Sequence, residues 1–142
     1  MTLSANITKL AALGATVSGV KSSFDLDAMP SSLQPALLPA LLFFPDGGSI
    51  ALQAFDALWE IKHRVRVQIA YAASAQGSFA KNVDGVVDIL DRFLIALRLD
   101  EDLTGSCASA RATGYTRIGE FIMGGVEYFG IEIVVEVLEY LG

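Results

Sequence analysis

Trp59-Glu60-Ile61-Lys62-His63-Arg64-Val65-Arg66-Val67-Gln68-Ile69-Ala70-Tyr71 decides the fold. Its odd positions, Trp59, Ile61, His63, Val65, Val67, Ile69 and Tyr71, are apolar or aromatic. Its even positions carry Glu60, Lys62, Arg64, Arg66 and Gln68. Side chains on an extended chain point alternately to two faces, so this pattern predicts a long strand with one apolar and one basic face. Three of the chain's ten basic residues lie between positions 62 and 66, in a chain of net charge −6. Acidic groups must answer them, in the same sheet or on a partner.

The far end of the chain holds a matching segment. Phe129, Ile131, Ile133, Val135 and Val137 share one parity, and Glu132 and Glu136 lie on the other with Val134 and Leu138 between them. Val126 to Leu141 is therefore read as a second long strand, apolar at odd positions and acidic at even ones. Three arrangements answer the charges. Glu132 and Glu136 can lie across from Lys62, Arg64 and Arg66 in one antiparallel sheet, where each opposed pair contributes roughly 0.2–1 kcal/mol. The two faces can instead meet between subunits, or the basic strand can contact nucleic acid. The mixed apolar and charged face suits a subunit interface.

Between and around these strands the periodicity changes. Leu3, Ile7, Leu10 and Ala11 keep helical spacing, with Ser4 as cap and Gly14 loosening the end, so a helix is expected from Ser4 to Leu13. Val20 to Leu26 reads as a short strand. Residues 27–39 hold Pro30, Pro35 and Pro39, which makes them a connector with at most one helical turn. Ala40 to Phe44 suits a buried strand, Pro45-Asp46-Gly47-Gly48-Ser49 a turn, and Ile50 to Leu58 the near arm of a hairpin. After an Ala75-Gln76-Gly77 loop, Val83, Val86, Val87, Leu90, Phe93, Leu94 and Leu97 mark an amphipathic helix over Ala80 to Leu99. Ala108 to Thr116 and Gly119 to Met123 read as strands, with a turn or bulge at Gly124-Gly125. The sum is one α+β domain over residues 1–142: an antiparallel β-sheet with two helices packed on one face.

The bulk properties bound the function. A chain of 142 residues that is 53% apolar can bury a core without disulfides or metal. Its mean hydropathy of +0.50 is high for a monomer and points to surface buried against copies of itself. The densest apolar run, Leu37 to Phe44, is broken by Pro39 and falls far short of the ~20 residues of a spanning helix. No signal-peptide pattern opens the chain, and the single cysteine, Cys107, fits a reducing cytoplasm. The acidic balance argues against the whole protein gripping nucleic acid.

No catalytic signature emerges. His63, the only histidine, lies on the apolar parity and reads as a core or edge residue with one hydrogen-bond partner. Cys107 reads as a small buried thiol, although Cys107 and His63 are the only candidates for a nucleophile and base. Asp100-Glu101-Asp102 is placed just past a helix end, because acids are unfavourable at a helix C-terminus. The Pro45–Ser49 stretch lacks the lysine and spacing of a phosphate loop and reads as a mobile tip. Trp59 and Tyr71 are expected to pack at the ends of their strand. No metal, cofactor or membrane partner is implied.

The ordered features resemble the tail terminator proteins of long-tailed phages. The likeness is carried by the N-terminal helix leading into Val17-Ser18-Gly19-Val20-Lys21 and by the proline-bearing stretch from Leu33 to Pro45. It continues through the His63–Tyr71 strand with its Ala75-Gln76-Gly77 loop, the long helix, and the closing Gly124–Ile133 strand. The resemblance implies a structural virion protein, made in the host cytoplasm and located in the tail or neck. Its subunits would form a ring of about six by a closing head-to-tail interface. That ring would cap the tail tube and join it to the neck or head-completion protein, with DNA passing through unbound by sequence. Lys62, Arg64, Arg66, Glu132 and Glu136 are the interface or cross-strand candidates. Asp46, Gly47, Gly48 and Ser49 are the candidates for contact with tube or connector. Two other readings stay open: a head-completion or neck protein, and a small oligomeric ligand-binding protein or enzyme with its site on the sheet.

Overall fold

Thr2, not Ser4, begins the first helix in the computed structural model, which describes residues 2–53, 58–73, 79–123 and 125–141. Thr2 is extended, and its Oγ1 accepts a hydrogen bond from the Ala5 amide at 3.0 Å, so helix α1 runs Leu3–Ala15. Gly14 does not loosen the end. It lies inside the helix and is buried, and a Cβ there would come within 2.8 Å of Leu41. The glycine lets α1 press closely on the sheet.

The remaining elements follow the expected order with shifted bounds. They are β1 (Ser22–Phe24), a single turn of 3-10 helix (Pro35–Leu37), β2 (Ala40–Gln53), β3 (Leu58–Ala73), α2 (Phe79–Leu99), β4 (Ser109–Tyr115), β5 (Gly119–Met123) and β6 (Val126–Leu141). The Ala75-Gln76-Gly77 loop and Gly124 lie outside the described residues. Gly125 has φ +79°, which suits the turn expected between β5 and β6.

Among the described residues six strands form one sheet in the order β1-β2-β3-β6-β4, with β5 also pairing β6. Every pair is antiparallel except β1 with β2, which is parallel. That parallel pair corrects the fully antiparallel expectation. A parallel neighbour needs a crossover of about a dozen residues or more, and the proline-bearing segment supplies it.

The odd positions of β3 and β6 face the helices, as their alternation predicts. Val65, Val67, Ile69, Ile131, Ile133, Val135 and Val137 pack with Leu41 and Phe43 of β2. Against them lie Ile7 and Leu10 of α1 and Val86, Ile89, Phe93 and Leu97 of α2. The opposite face is not simply wet. The connector folds back over its lower half, where Leu33 and Leu38 bury Ala40, Leu42, Ala70 and Tyr128 in a second small core. Tyr128 clasps the connector: its hydroxyl donates to the Leu33 carbonyl at 2.5 Å and accepts from the Leu33 amide at 2.7 Å. The upper half of that face, and the upper part of β2 and β3, have no such cover among the described residues.

Candidate assembly surface

The uncovered half of the sheet is built by the register of the two long strands. Val65 lies opposite Val135, which sets Arg64 opposite Glu136, Gln68 opposite Glu132, Arg66 opposite Val134 and Lys62 opposite Leu138. The charges therefore meet within one chain, but not always with the partner directly across. Gln68 Nε2 donates to Glu132 Oε1 at 2.9 Å, and Arg66 Nε lies 4.0 Å from Glu132 Oε2. That last distance is too long for a hydrogen bond, and Arg66 also stacks over the Phe44 ring, 5.3 Å from its centroid. Lys62 pairs with Glu60 on its own strand at 3.5 Å. Arg64 turns to Asp46, donating to its carbonyl oxygen at 3.1 Å with the carboxylate at 3.9 Å. No ion pair within 4 Å reaches Glu136 among the described residues. Lys62, Arg64 and Asp46 keep much of their solvent contact, so the pairs they make add little to stability, whereas Glu60 and Glu132 are largely covered.

Asp46, Gly47, Gly48 and Ser49 are not a turn or a tip. They lie inside β2, where the register jumps from Pro45 opposite Val65 to Gly48 opposite His63. Asp46 and Gly47 together face Arg64, which is a β-bulge. Gly47 has φ +83°, and a Cβ on Gly48 would collide with the Lys62 carbonyl oxygen. The two glycines thus supply a bulge that aims Asp46 over Arg64. Between this bulge and the end of β4 the sheet cups into a depression of about 580 Å³, floored by Arg64, Val134 and Glu136.

The strands outrun the helices. Beyond His63, on the helix-side face, Ile50 lies opposite Ile61 and Leu52 opposite Trp59, with Leu141 across from Trp59 on β6. Ile50 is 63% exposed, Leu52 65%, Trp59 51% and Leu141 58%. Trp59 does not pack at the strand end as expected; it stands on a three-stranded arm with an apolar ladder on one side. Tyr71, at the other end, is half-buried against the main core. An apolar patch of several hundred Å² on a small chain is the scale that marks an interaction site.

The sheet also has two open sides. β1 covers β2 only at Ala40–Leu42, so the outer edge of β2 above that is unpaired among the described residues. β4 and β5 both pair with β6 alone, leaving the other long edge free among the described residues. Unpaired edges present rows of backbone donors and acceptors that another chain can meet.

At the base of the arm a buried polar chain closes the core. Ser106 Oγ donates to Asn6 Oδ1 at 2.6 Å, Asn6 Nδ2 donates to Glu139 Oε1, and Glu139 Oε2 lies 3.3 Å from His63 Nε2. Asn6 and Glu139 are 0% and 6% exposed. A buried carboxylate is tolerated only when its oxygens are engaged, and both are. His63 thus has the one partner expected of it. Glu139 is missing from the expected charge row, although its odd position in β6 sets it on the apolar face. Cys107 is buried, with its Sγ directed at the Glu101 carbonyl oxygen at 3.9 Å. Burial, and then the nearby Glu139, Asp102 and Asp100, push its thiol up to about 11. A protonated thiol is a poor nucleophile.

Asp100 lies just beyond α2, where its carboxylate accepts from the Thr104 amide at 2.8 Å and caps the following turn. Among the described residues no three His, Cys, Asp or Glu side chains gather as metal ligands, and no helix is long and apolar enough to cross a membrane. No protein-family model and no curated protein matches this chain.

Proposed function

We propose that this chain is a structural subunit that assembles with copies of itself into a closed ring. Following the resemblance to tail terminators, the ring caps a phage tail tube and joins it to the neck, with DNA passing through. The observation that carries the reading is the exposed apolar ladder of Ile50, Leu52, Trp59 and Leu141, set on a sheet whose two sides are both open among the described residues. A monomer leaves that surface in water, whereas a head-to-tail ring covers one edge with the next at every subunit. An acidic chain also suits a passage for DNA, because net negative charge gives the phosphates nothing to grip.

A second reading takes its support from the 580 Å³ depression over Arg64 and Glu136, which offers opposite charges to a small polar ligand. Negative-stain imaging of the purified full chain, alone and with tail tubes, separates the two. Rings of uniform diameter that seat on tube ends are the expected outcome. Rings that bind neck complexes but not tubes reassign the chain to head completion. A compact dimer at every concentration overturns the ring and favours the ligand-binding reading.

A further inference from the structure

One row across the open face alternates in sign from edge to edge. The bulge sets Asp46 over Arg64, Arg64 lies opposite Glu136, and Glu136 lies opposite Arg111 on β4. The row therefore begins with an acid on the β2 edge and ends with a base on the β4 edge. Arg111 is exposed and has no ion pair within 4 Å among the described residues. The Asp46 side chain, although paired with Arg64, stays 46% exposed. Both terminal charges stand on edges that no strand covers at this level among the described residues.

We propose that copies of this chain dock head-to-tail and edge to edge, the bulged β2 edge of one against the β4 edge of the next, with Asp46 meeting Arg111. The inference rests on the self-assembly reading above and specifies its surface. Strand direction agrees with it. β2 and β3, β3 and β6, and β6 and β4 are each antiparallel, so β4 runs opposite to β2. A copy related by rotation about an axis along the strands then offers β2 to β4 in antiparallel sense, with helices on the same side.

The helix side supports the same joint. A groove of about 260 Å³ opens along the β4 edge between that strand and α2, with an apolar floor of Leu94, Leu97, Ala110 and Ala112 and the charged side chains of Arg98, Glu101 and Arg111 at its rim. With Asp46 opposite Arg111 in antiparallel sense, the exposed Pro45, which shares the helix-side face with Val65, comes beside Ala112 at this groove. Charge selects against the alternative centred at the same level: a two-fold joint whose axis passes beside Asp46 or beside Arg111 brings like charges together across a strand pair, which is destabilising.

The test is a charge swap read by native mass spectrometry and sedimentation across a concentration series. Asp46→Lys alone and Arg111→Asp alone should each raise the concentration for half-assembly roughly tenfold or more, because each loses an attraction and gains a repulsion. Mixed one to one, the two variants should reassemble. At one joint the lysine introduced into the β2 edge meets the aspartate introduced into the β4 edge, and at the next joint the original pair forms. The neutral variants Asp46→Asn and Arg111→Gln should weaken assembly by a smaller factor and do not disturb the fold at exposed sites. If the single swaps assemble like the parent, or the mixture fails to recover, the edge joint is wrong while the ring reading stands. If the parent chain is monomeric at every concentration, the ring reading fails and the joint with it.

Discussion

Two stretches of β3 read alike and live differently. Val65 to Ile69 and Trp59 to Ile61 both alternate apolar with polar residues, yet the first is sealed beneath two helices and the second stands on an open arm. The reason is length. A strand of 16 residues extends about 53 Å, whereas α2, with 21 residues, extends about 31 Å and α1, with 13, about 20 Å. The helices cannot cover the sheet end to end. Alternation therefore reports which face a side chain occupies, and the covering layer decides whether that face is buried.

The largest expected effect lies in the sealed region. Phe43 is fully buried and packs beside Phe93 with ring centroids 6.2 Å apart. Phe43→Ala should destabilise the chain by about 3–5 kcal/mol in urea unfolding. A loss below about 1 kcal/mol would show that the helix layer is not the core described. At the boundary between the two regions, Asn6→Ala removes one of the two groups engaging the buried Glu139 carboxylate. It should cost about 2–3 kcal/mol, with Glu139→Gln costing less because the amide can still bond while no charge stays buried. Equal losses for the two variants would contradict the role given to the carboxylate.

Cys107 gives a pH-dependent comparison. Its pKa is raised from an ordinary value of 9.0 to about 11, so the folded chain holds the proton more tightly than the unfolded one. The resulting stability is fully present below about pH 9 and is lost as pH rises toward 11. Melting temperatures should fall over that window in the parent and fall less in Cys107→Ala. Identical alkaline slopes would remove the thiol from the account. The smallest effect belongs to the arm. Trp59→Ala, the truncation of a larger side chain than Phe43, should destabilise the isolated chain by only about 1–2 kcal/mol, since half its surface is already in water. The same change should weaken assembly.

The contrast also explains what the sequence made legible. Both long strands, α2, the strands β4 and β5, and the facing of odd positions toward the helices follow from local periodicity. The parallel β1–β2 pair and the fold-back of Leu33 and Leu38 over Tyr128 do not, because proline content marks a connector without saying what it covers. Pro45-Asp46-Gly47-Gly48-Ser49 could encode a turn or a bulge, since both use glycine at positive φ. Only the pairing of Pro45 with Val65 and Gly48 with His63 selects the bulge. Of the surface charges, Lys62, Arg64, Arg66, Glu132 and Glu136 were legible from alternation. Arg111 was not, because β4 carries too short and mixed a pattern to reveal its place in the row.

Hydrogen exchange measured at low and high protein concentration tests the central claim most directly, that open edges of this sheet are covered by copies of the same chain. Outward amides in residues 43–53 and 109–115 should exchange rapidly when dilute and become protected as rings form, while the amides of Val67 and Ile133 stay protected throughout. Unchanged exchange along both edges, in a sample whose mass shows assembly, would contradict the account.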